Sequence, residues 1–411
     1  MDGCGCRCGM CAVALDIQIS YRAYHGIYQN KGKTGESMKI AFFSGNMEHG
    51  GGTERVLSIL AGGLTSRGHE VMIFSLTGKG PSFYELDERV KLFWIGSKTL
   101  KSDIVSNLKK LSCIMKDEKP DFLIDVDIIL GFYSVLLKAR FPKTHWISWE
   151  HFNYFYEFDI NRGLRKIARF IVSRFSECLV VLSDEDKKYY LDNMRLKCRI
   201  ERIYNPTPCE GKVIIGQSED KELPETGYRA KKTVLAVGRL TRQKGFDMLL
   251  KSWKPVEKKH PDWNLRIVGD GEEKDNLLEE ADKLGLKNVE FAGQTKDVER
   301  YYQNADFFVL SSRNEGFAMV VLEAMGHGLP VVAFDCKAGV RETVADGFNG
   351  YLVPLGNIKA LARRMDKLIS DEDKCRDFGK NAMMTSNLFR PSKILDEWEK
   401  LFTSFPSSYP S

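Results

Sequence analysis

Residues 311–335 read SSRNEGFAMVVLEAMGHGLPVVAFD, and two glutamates in this stretch, Glu315 and Glu323, enclose an almost wholly apolar run. The run has the length of a short buried helix, and we expect that helix to begin at about Phe317. The PVVAF that follows predicts a buried strand. Two glutamates pointing into solvent would fit poorly with the apolar residues between them. The stretch therefore predicts a helix whose acidic residues face a ligand.

The same alternation of strands and helices extends in both directions along the chain. Short β-rich runs mark the first half, namely KIAFFSG, HEVMIFSL, VKLFWIG, DFLIDVD, THWISW and CLVVLS. The second half repeats the pattern with TVLAVG, LRIVG, VEFAG, FFVLSS and PVVAF. Strands this apolar, separated by helices, indicate parallel sheets that are covered on both faces. The sequence therefore predicts two Rossmann-like, doubly wound α/β domains that face each other across a central cleft.

Breaks in this pattern set the expected domain limits. Residues 1–37 show no apolar periodicity, so we expect an extraneous or disordered leader before a first domain at 38–204. The segment 205–232 contains NPTPCEG and ELPETG and is typical of a linker. A second domain is expected at 233–390. Residues 391–411 form a terminal stretch, in which ILDEWEKLF predicts a short amphipathic helix.

Composition and charge exclude several classes of protein. The chain has 411 residues, of which 43% are hydrophobic and 28% charged, an ordinary balance for large globular cores. The 61 basic and 56 acidic residues give a net charge of +5, which is too mild to indicate a nucleic-acid partner. The most apolar run, IILGFYSVLL, is about half as long as a transmembrane helix. We therefore expect no membrane span.

The cysteines raise the question of a metal site. Four of the ten lie in the first eleven residues, at Cys4, Cys6, Cys8 and Cys11. Four thiolates can bind zinc, but such sites usually consist of two well-separated pairs on a folded frame. The other six cysteines are scattered without paired spacing, which is typical of a reducing compartment. We expect neither a disulfide framework nor a metal site.

Residues that follow the predicted strands are candidates for ligand binding, because doubly wound sheets bind ligands beyond the carboxyl ends of their strands. Gly50, Gly51 and Gly52 follow the first strand and permit either a plain turn or close approach of a ligand to the backbone. Arg239 and Lys244 follow TVLAVG. The pair suits a diphosphate, since Arg can grip two oxygens and Lys adds a point charge. A solvated basic loop is the alternative.

The acidic stretch completes the expected site. Glu315 follows the strand FFVLSS, and Gly316 lets the chain turn into the helix. Free backbone N–H groups of residues 317–320 would then point at the ligand, as at other phosphate-binding helix starts. Glu323 lies about two turns into the helix, where its carboxylate can accept hydrogen bonds from two neighbouring ribose hydroxyls. The pattern therefore predicts a nucleotide sugar, with its phosphates between the two glutamates.

Together with this stretch, the segments VGRLTRQKG, IVGDGEE and VEFAGQTKDV closely resemble glycosyltransferase family 4, whose members are retaining enzymes of the GT-B fold. The resemblance covers essentially residues 38–404, and the E-x7-E element of Glu315 and Glu323 is its most specific part. It implies that the terminal helix within 391–411 crosses back to the first domain. It implies a hexosyltransferase that takes a nucleotide sugar, a UDP-sugar, as its donor substrate. It also implies that the enzyme needs no metal and no cofactor.

The resemblance assigns roles position by position. Arg239 and Lys244 are expected to bind the donor diphosphate, and Glu323 the ribose. Glu315 is expected to contact the donor sugar beside the reacting carbon, and whether it acts as a nucleophile stays open. Main-chain groups around Gln294 are expected to contact the base. Further donor contacts are implied for the glycine loop and for the start of the helix, at Gly51, Gly52, Gly316, Phe317, Ala318 and Met319. His151, after the strand THWISW, is implied to contact the sugar, although a structural histidine is the alternative.

A basic amphipathic stretch suggests a place for the acceptor. Residues 161–176 put Leu164, Ile167, Ile171 and Phe175 on one face, with Arg162, Arg165, Lys166, Arg169 and Arg174 over the remainder. Such a helix could lie on an anionic membrane or attract a lipid diphosphate, or it could be an ordinary surface helix packed on the sheet.

Two further motifs narrow the resemblance. GGTER at 51–55 and the pair Glu150-His151 resemble family members that extend lipid-linked oligosaccharides or surface polysaccharides. They imply a saccharide acceptor linked to polyprenyl diphosphate and a peripheral position at the cytoplasmic face of the membrane.

Other functions make different demands on the sequence. A UDP-sugar epimerase of the same fold would need additional cleft carboxylates and histidines as acid and base, and the chain has only 7 histidines. A nicotinamide-dependent enzyme would need a G-x-G-x-x-G after an opening strand, and neither domain has one. A non-catalytic sugar-nucleotide-binding protein would be expected to lack one of Arg239, Lys244, Glu315 and Glu323, all of which are present.

Overall fold

The computed structural model describes residues 36–99, 102–155, 162–208 and 232–406. Its strands, in chain order, are β1 Lys39–Asn46, β2 Glu70–Thr77, β3 Lys91–Ser97, β4 Phe122–Asp125, β5 His145–Trp149, β6 Cys178–Val181, β7 Arg199–Arg202, β8 Thr233–Val237, β9 Asn264–Val268, β10 Val289–Gly293, β11 Phe307–Leu310, β12 Val331–Asp335 and β13 Gly350–Pro354. They form two parallel sheets, of order β3-β2-β1-β4-β5-β6-β7 and β10-β9-β8-β11-β12-β13. In both sheets the chain order reverses beside the first strand, at β1 and at β8. The predicted pair of doubly wound parallel-sheet domains is confirmed.

Helices connect the strands. In chain order they are α1 Gly52–Ser66, α2 Ile104–Glu118, α3 Gly131–Arg140, α4 Arg162–Phe175, α5 Asp184–Asn193, α6 Phe246–Lys259, α7 Lys274–Leu284, α8 Glu299–Gln303, α9 Met319–Gly326, α10 Val340–Thr343, α11 Ile358–Ile369, α12 Glu372–Ser386 and α13 Pro391–Thr403. A short 3-10 turn, Arg242–Lys244, precedes α6. Helix α9 begins at Met319, two residues later than the sequence predicts. Gly316, Phe317 and Ala318 form an irregular segment that leads into it.

The first sheet is covered on both faces, because successive side chains of a strand point to opposite sides. In β1, Ile40 and Phe42 pack in one core with α1 and α13, whereas Ala41 and Phe43 pack in another with α2 and α3. Leu179 of β6 lies on the same side as Ala41 and packs against α4 and α5. Helices α2, α3 and α4 thus form one layer over a single face of this sheet.

The last helix, α13, packs on the first domain although it follows the second domain in sequence. Leu395 and Trp398 are fully buried, and the Trp398 ring centroid lies 5.1 Å from that of Trp149 in β5. At the edge of the contact, the Arg67 guanidinium donates to the Glu399 carboxylate at 2.5 Å. The terminal helix thereby ties the two domains together.

Two adjacent glycines of α1 are expected to respond oppositely to alanine. A Cβ at Gly62 would meet no described atom within 4 Å, whereas one at Gly63 would lie 2.5 Å from Cδ1 of Leu395. Gly62→Ala should raise the free energy of unfolding by about 0.5–1 kcal/mol, because alanine loses less entropy in a helix. Gly63→Ala should lower it by about 1–3 kcal/mol through overpacking against α13. Urea denaturation of the full chain measures both, and equal shifts would contradict this packing.

Some predictions fall partly or wholly outside the described ranges. They concern most of the leader, with Cys4, Cys6, Cys8 and Cys11, and the greater part of the linker. Within the described ranges, the cysteines are all free thiols. None of the helices described there is both long enough and apolar enough to cross a membrane.

Candidate active site

Glu315 and Lys244 meet where the loops after β8 and β11 converge. Glu315 is 6% exposed, and its Oε1 accepts hydrogen bonds from Lys244 Nζ at 2.7 Å and from Ser312 Oγ at 2.5 Å. The short turn that ends at Lys244 brings the ammonium group back across the end of the sheet. A carboxylate buried this deeply needs a counter-ion, and Lys244 supplies it. The structure thus brings together the predicted acid and one of the two predicted cations.

Gly316 lies where the two domains touch. A Cβ at this position would be 2.2 Å from the carbonyl oxygen of His151, which belongs to the first domain. Its φ is not positive, so the reason for glycine here is close approach across the cleft rather than an unusual turn. On the other side, a Cβ at Gly339 would be 2.4 Å from the Gly316 carbonyl oxygen. The entry to α9 is therefore enclosed by backbone from both domains.

His151 is buried at 8% exposure, in the segment that contacts Gly316. Its Nε2 is buried and makes no hydrogen bond to any part of the chain that the structure describes. The ring centroid lies 4.1 Å from that of Trp149, and burial lowers the pKa of His151 to about 3. The imidazole is therefore neutral at physiological pH. A buried nitrogen without a partner is costly, and the hydroxyl of a bound ligand would satisfy it.

Glu323 bridges the two domains. Its Oε1 accepts from Arg55 Nη1 of α1 at 2.8 Å, and its Oε2 accepts from the Tyr302 hydroxyl at 2.7 Å. The carboxylate is 5% exposed. Any ribose bound at Glu323 must therefore share it with Arg55 and Tyr302 or displace them. Arg55 is the last residue of the GGTER motif, three positions after Gly52, and that position in the first turn of α1 was the available signal for it.

The predicted glycine loop faces the start of α9. A Cβ at Gly52 would lie 3.5 Å from Cγ of Met319, across the cleft. At Gly51 a Cβ would lie 2.5 Å from the Glu54 carboxylate, which folds back over the start of α1. Phe317 and Ala318, with Met319, are buried beside this contact. The structure thus places the predicted glycines and the predicted helix start in one region.

Two predicted residues lie apart from this cluster. The Arg239 side chain is 75% exposed, and its recorded ion pair is with Glu272, at 3.5 Å between Nη2 and Oε2. Gln294 is exposed just after β10. The Gly-Asp-Gly turn that follows β9 has a packing role: a Cβ at Gly269 would lie 2.0 Å from the carbonyl oxygen of Gly238. That turn therefore holds the loop of Arg239 in place.

Beneath His151, a group of buried charges fixes the loop that carries it. Glu150 is fully buried, and its carboxylate lies 3.4 Å from Arg165 Nη1 and 3.8 Å from Arg169 Nε. Burial raises the pKa of Glu150, and the two arginines oppose that shift without cancelling it. Arg165 also contacts Asp127 at 2.7 Å. The sequence counted Arg165 and Arg169 among the cations that an anionic membrane or a lipid diphosphate could meet, but the structure buries both side chains beside Glu150.

The opposite face of α4 is apolar and exposed. Ile167, Phe170 and Phe175 are 52%, 54% and 57% exposed. The Arg174 guanidinium lies 5.4 Å from the Phe170 ring centroid. Arg165 and Arg169 face inward because they pair with carboxylates beneath the helix. Ile167, Phe170 and Phe175 lie on the other side of α4, and they are therefore at the surface.

Comparisons with known families agree with this architecture. Residues 218–384 match the family model described as Glycosyl transferases group 1, and residues 50–210 match the model described as Glycosyltransferase Family 4. The two matches fall on the second and the first domain respectively.

Similar proteins align along nearly their whole length. An uncharacterized glycosyltransferase of Haemophilus influenzae is 34% identical, with 88% of this chain and 99% of that protein covered. The amylovoran biosynthesis glycosyltransferase AmsD of Erwinia amylovora is 30% identical over 88% and 99% of the two chains. A Campylobacter jejuni protein is 29% identical over 89% and 98%, and is named GalNAc-alpha-(1->4)-GalNAc-alpha-(1->3)-diNAcBac-PP-undecaprenol alpha-1,4-N-acetyl-D-galactosaminyltransferase.

Solved structures share the fold at low sequence identity. TarM of S. aureus, in complex with fondaparinux, alpha-GlcNAc-glycerol and UDP, superposes with a TM-score of 0.75 at 16% identity, covering 89% of this chain and 100% of that one. HepE of Anabaena, in complex with UDP and glucose, gives a TM-score of 0.73 at 20% identity over 90% and 100%. Both domains of the fold are matched, and the sequence relatives cover both as well. The chain therefore belongs to the family 4-like glycosyltransferases of the GT-B fold.

Proposed function

We propose that this glycosyltransferase moves a hexose or N-acetylhexosamine from a UDP-sugar to a saccharide acceptor, with retention of configuration at the transferred carbon. The observation that carries the proposal is the ion pair between the buried Glu315 and the partly buried Lys244 at the entry to α9. An ammonium group and the start of a helix converge there, and both favour the phosphates of a donor. UDP in the complexes of TarM and HepE supports the choice of nucleotide.

The proposed reaction uses charge rather than a metal ion. The bond between the sugar carbon and the diphosphate oxygen breaks, and its electron pair stays on the diphosphate. Lys244 and the N–H groups at the start of α9 stabilise that charge, with Arg239 moving in from its exposed position. The acceptor oxygen bonds to the same carbon from the face that the diphosphate leaves, and its proton passes to a diphosphate oxygen. Glu315 lies beside the sugar, and neutral His151 accepts or donates one hydrogen bond to it.

For the acceptor we propose a saccharide on a polyprenyl diphosphate, reached from the cytoplasmic face of the membrane. The printed name of the Campylobacter jejuni relative contains such a carrier. The exposed face of α4 supports membrane contact, because aromatic and aliphatic side chains stand beside Arg174 and Lys166. Ile104 and Val105 of α2 and Leu136 of α3 are also exposed, in the same helical layer. This layer would bind an anionic bilayer with its apolar side chains inserted.

Negative charges introduced on the exposed apolar face of α4 should release the protein from membranes. Ile167→Glu with Phe170→Glu should weaken binding to phosphatidylglycerol vesicles by at least about tenfold, because two half-exposed apolar groups no longer enter the bilayer. Leu278→Glu is the matched control, since Leu278 is 40% exposed on α7 of the second domain. Vesicle co-sedimentation measures the binding. Equal sedimentation of both variants would refute α4 as the contact.

A donor panel tests the transfer itself. The full chain is incubated with a set of UDP-, GDP- and dTDP-sugars, with and without a polyprenyl-diphosphate saccharide, and nucleotide release is measured. We expect acceptor-dependent release of UDP from one donor, and an α-linked product from an α-linked donor by NMR. Release of a UDP-sugar isomer without acceptor would favour the epimerase instead. If no nucleotide is released and none raises the melting temperature, the proposal fails.

A further inference from the structure

Asn153 reaches from the first domain into the backbone of the second. Its side chain is 1% exposed, and Nδ2 lies 2.9 Å from Asn314 Oδ1, 2.8 Å from the carbonyl oxygen of Glu315 and 3.2 Å from that of Lys337. Its Oδ1 accepts the N–H of Phe155 within the first domain at 2.9 Å. That bond fixes the orientation of the amide, so the NH₂ group points at the three acceptors of the second domain.

The buried charges under the cleft hold Asn153 in turn. Its carbonyl oxygen accepts from Arg169 Nη2 at 3.1 Å, and Arg169 Nε donates to the Tyr190 hydroxyl at 3.2 Å. Tyr190 donates to Glu150 Oε2 at 2.9 Å, and the other carboxylate oxygen of Glu150 accepts the N–H of Phe152 at 3.1 Å. The loop that carries His151 and Asn153 is therefore held by hydrogen bonds at the Phe152 N–H and at the Asn153 carbonyl. Such a support is rigid enough to position what Asn153 touches.

The contact between Asn153 and the second domain can influence the loop that carries Glu315. The Glu315 carbonyl is held by the first domain, while the Glu315 carboxylate is held by Lys244 of the second domain. Losing the Asn153 amide would leave three inward-facing oxygens short of a donor, and the loop that carries Glu315 would have to rearrange. A shift of about 1 Å in a reacting group can cost about 10²-fold in rate.

We propose that Asn153 is a positioning residue that aligns Glu315 with the donor sugar when the cleft is closed. The role rests on the proposed sugar transfer. Asn153 acts through the main chain of Glu315 and touches no reacting atom. The inference adds a residue from the first domain to a site whose charged groups, Glu315 and Lys244, come from the second.

The test compares Asn153→Ala and Asn153→Asp with Asn107→Ala in the full chain. Asn107 is a matched control, because it is 2% exposed in the same domain and its Nδ2 donates to Ser97 Oγ at 3.0 Å and to the Ser102 carbonyl at 2.9 Å. Four quantities are measured: kcat for transfer, Kd for UDP, melting temperature, and hydrogen–deuterium exchange of the peptide spanning 310–325.

Asn153→Ala should lower kcat by about 10²-fold, leave the Kd for UDP within about threefold, and speed exchange at 310–325. Asn153→Asp should lower kcat by as much, because a carboxylate cannot donate to the three acceptor oxygens and would repel them. Asn107→Ala should change only the melting temperature. Unchanged kcat and exchange would overturn the proposal, as would a parallel loss of kcat, UDP affinity and stability in the Asn153 and Asn107 variants. If the wild type transfers no sugar, the proposed function fails, and the exchange of 310–325 alone decides for or against Asn153.

Discussion

Glu315→Gln is expected to lower the rate of sugar transfer by about 10²- to 10³-fold, with UDP still bound. Glutamine keeps the size of the side chain and can still accept from Ser312 at 2.5 Å. It removes the negative charge that faces Lys244 Nζ at 2.7 Å. In the proposed reaction this charge lies beside the reacting carbon. The loss should therefore appear in kcat, because the interaction matters most when the sugar carbon becomes electron-poor.

Glu342→Gln is the control for that change. Glu342 also joins the domains, since its carboxylate accepts from the Asp184 N–H at 2.9 Å and from the Tyr204 hydroxyl at 2.8 Å. Within the described residues, Glu342 forms no hydrogen bond or ion pair with Lys244. Its replacement should leave kcat within about threefold, since both of its donors are uncharged and the glutamine oxygen can still accept from one of them. Both variants are compared by their initial rates of UDP release at saturating donor. Equal rates would show that Glu315 has no part in the transfer step.

Gly316→Ala is the second substitution with a large expected effect. Its new Cβ would stand 2.2 Å from the His151 carbonyl oxygen and 3.1 Å from Cα of Phe152, and backbone atoms cannot swing away as side chains can. The two domains would have to separate at this point. We expect transfer to fall by about 10²-fold. UDP affinity should stay within a few-fold, because the proposed contacts to UDP come mainly from the second domain.

Gly62→Ala provides the comparison, because it adds the same methyl group to α1 where no described atom lies within 4 Å. It should transfer sugar at the wild-type rate. Isothermal titration with UDP and a rate assay on the same preparations separate binding from transfer. A Gly316→Ala enzyme of normal rate would show that the contact between His151 and Gly316 does not form during turnover.

The fold was predictable from the sequence because each central strand is apolar at successive positions. Ile40, Ala41, Phe42 and Phe43 are all apolar, and only a strand covered on both faces buries all four. The pairing of Lys244 with Glu315 could be anticipated in the same way. Both residues follow parallel strands, and the carboxyl ends of those strands meet at one edge of the sheet.

Contacts between the domains were not predictable. Arg55 and Glu323 are 268 positions apart, and their ion pair depends on how one domain sits on the other, which strand and helix periodicity does not encode. The same holds for Asn153 and the Glu315 carbonyl. Helix α4 shows a different limit. Arg165 turns inward because it pairs with the buried Glu150 and the partly buried Asp127, and both carboxylates lie outside the helix. The charge pattern of α4 alone therefore does not show which of its arginines are buried.

A crystal structure of the full chain with an intact UDP-sugar would test the central claim most directly. We expect the diphosphate against Lys244 and the first N–H groups of α9, the sugar beside Glu315 and His151, and the ribose at Glu323 with Arg55 displaced or sharing the carboxylate. A nucleotide bound away from the loop that joins β11 to α9, with the pair of Glu315 and Lys244 untouched, would contradict the account.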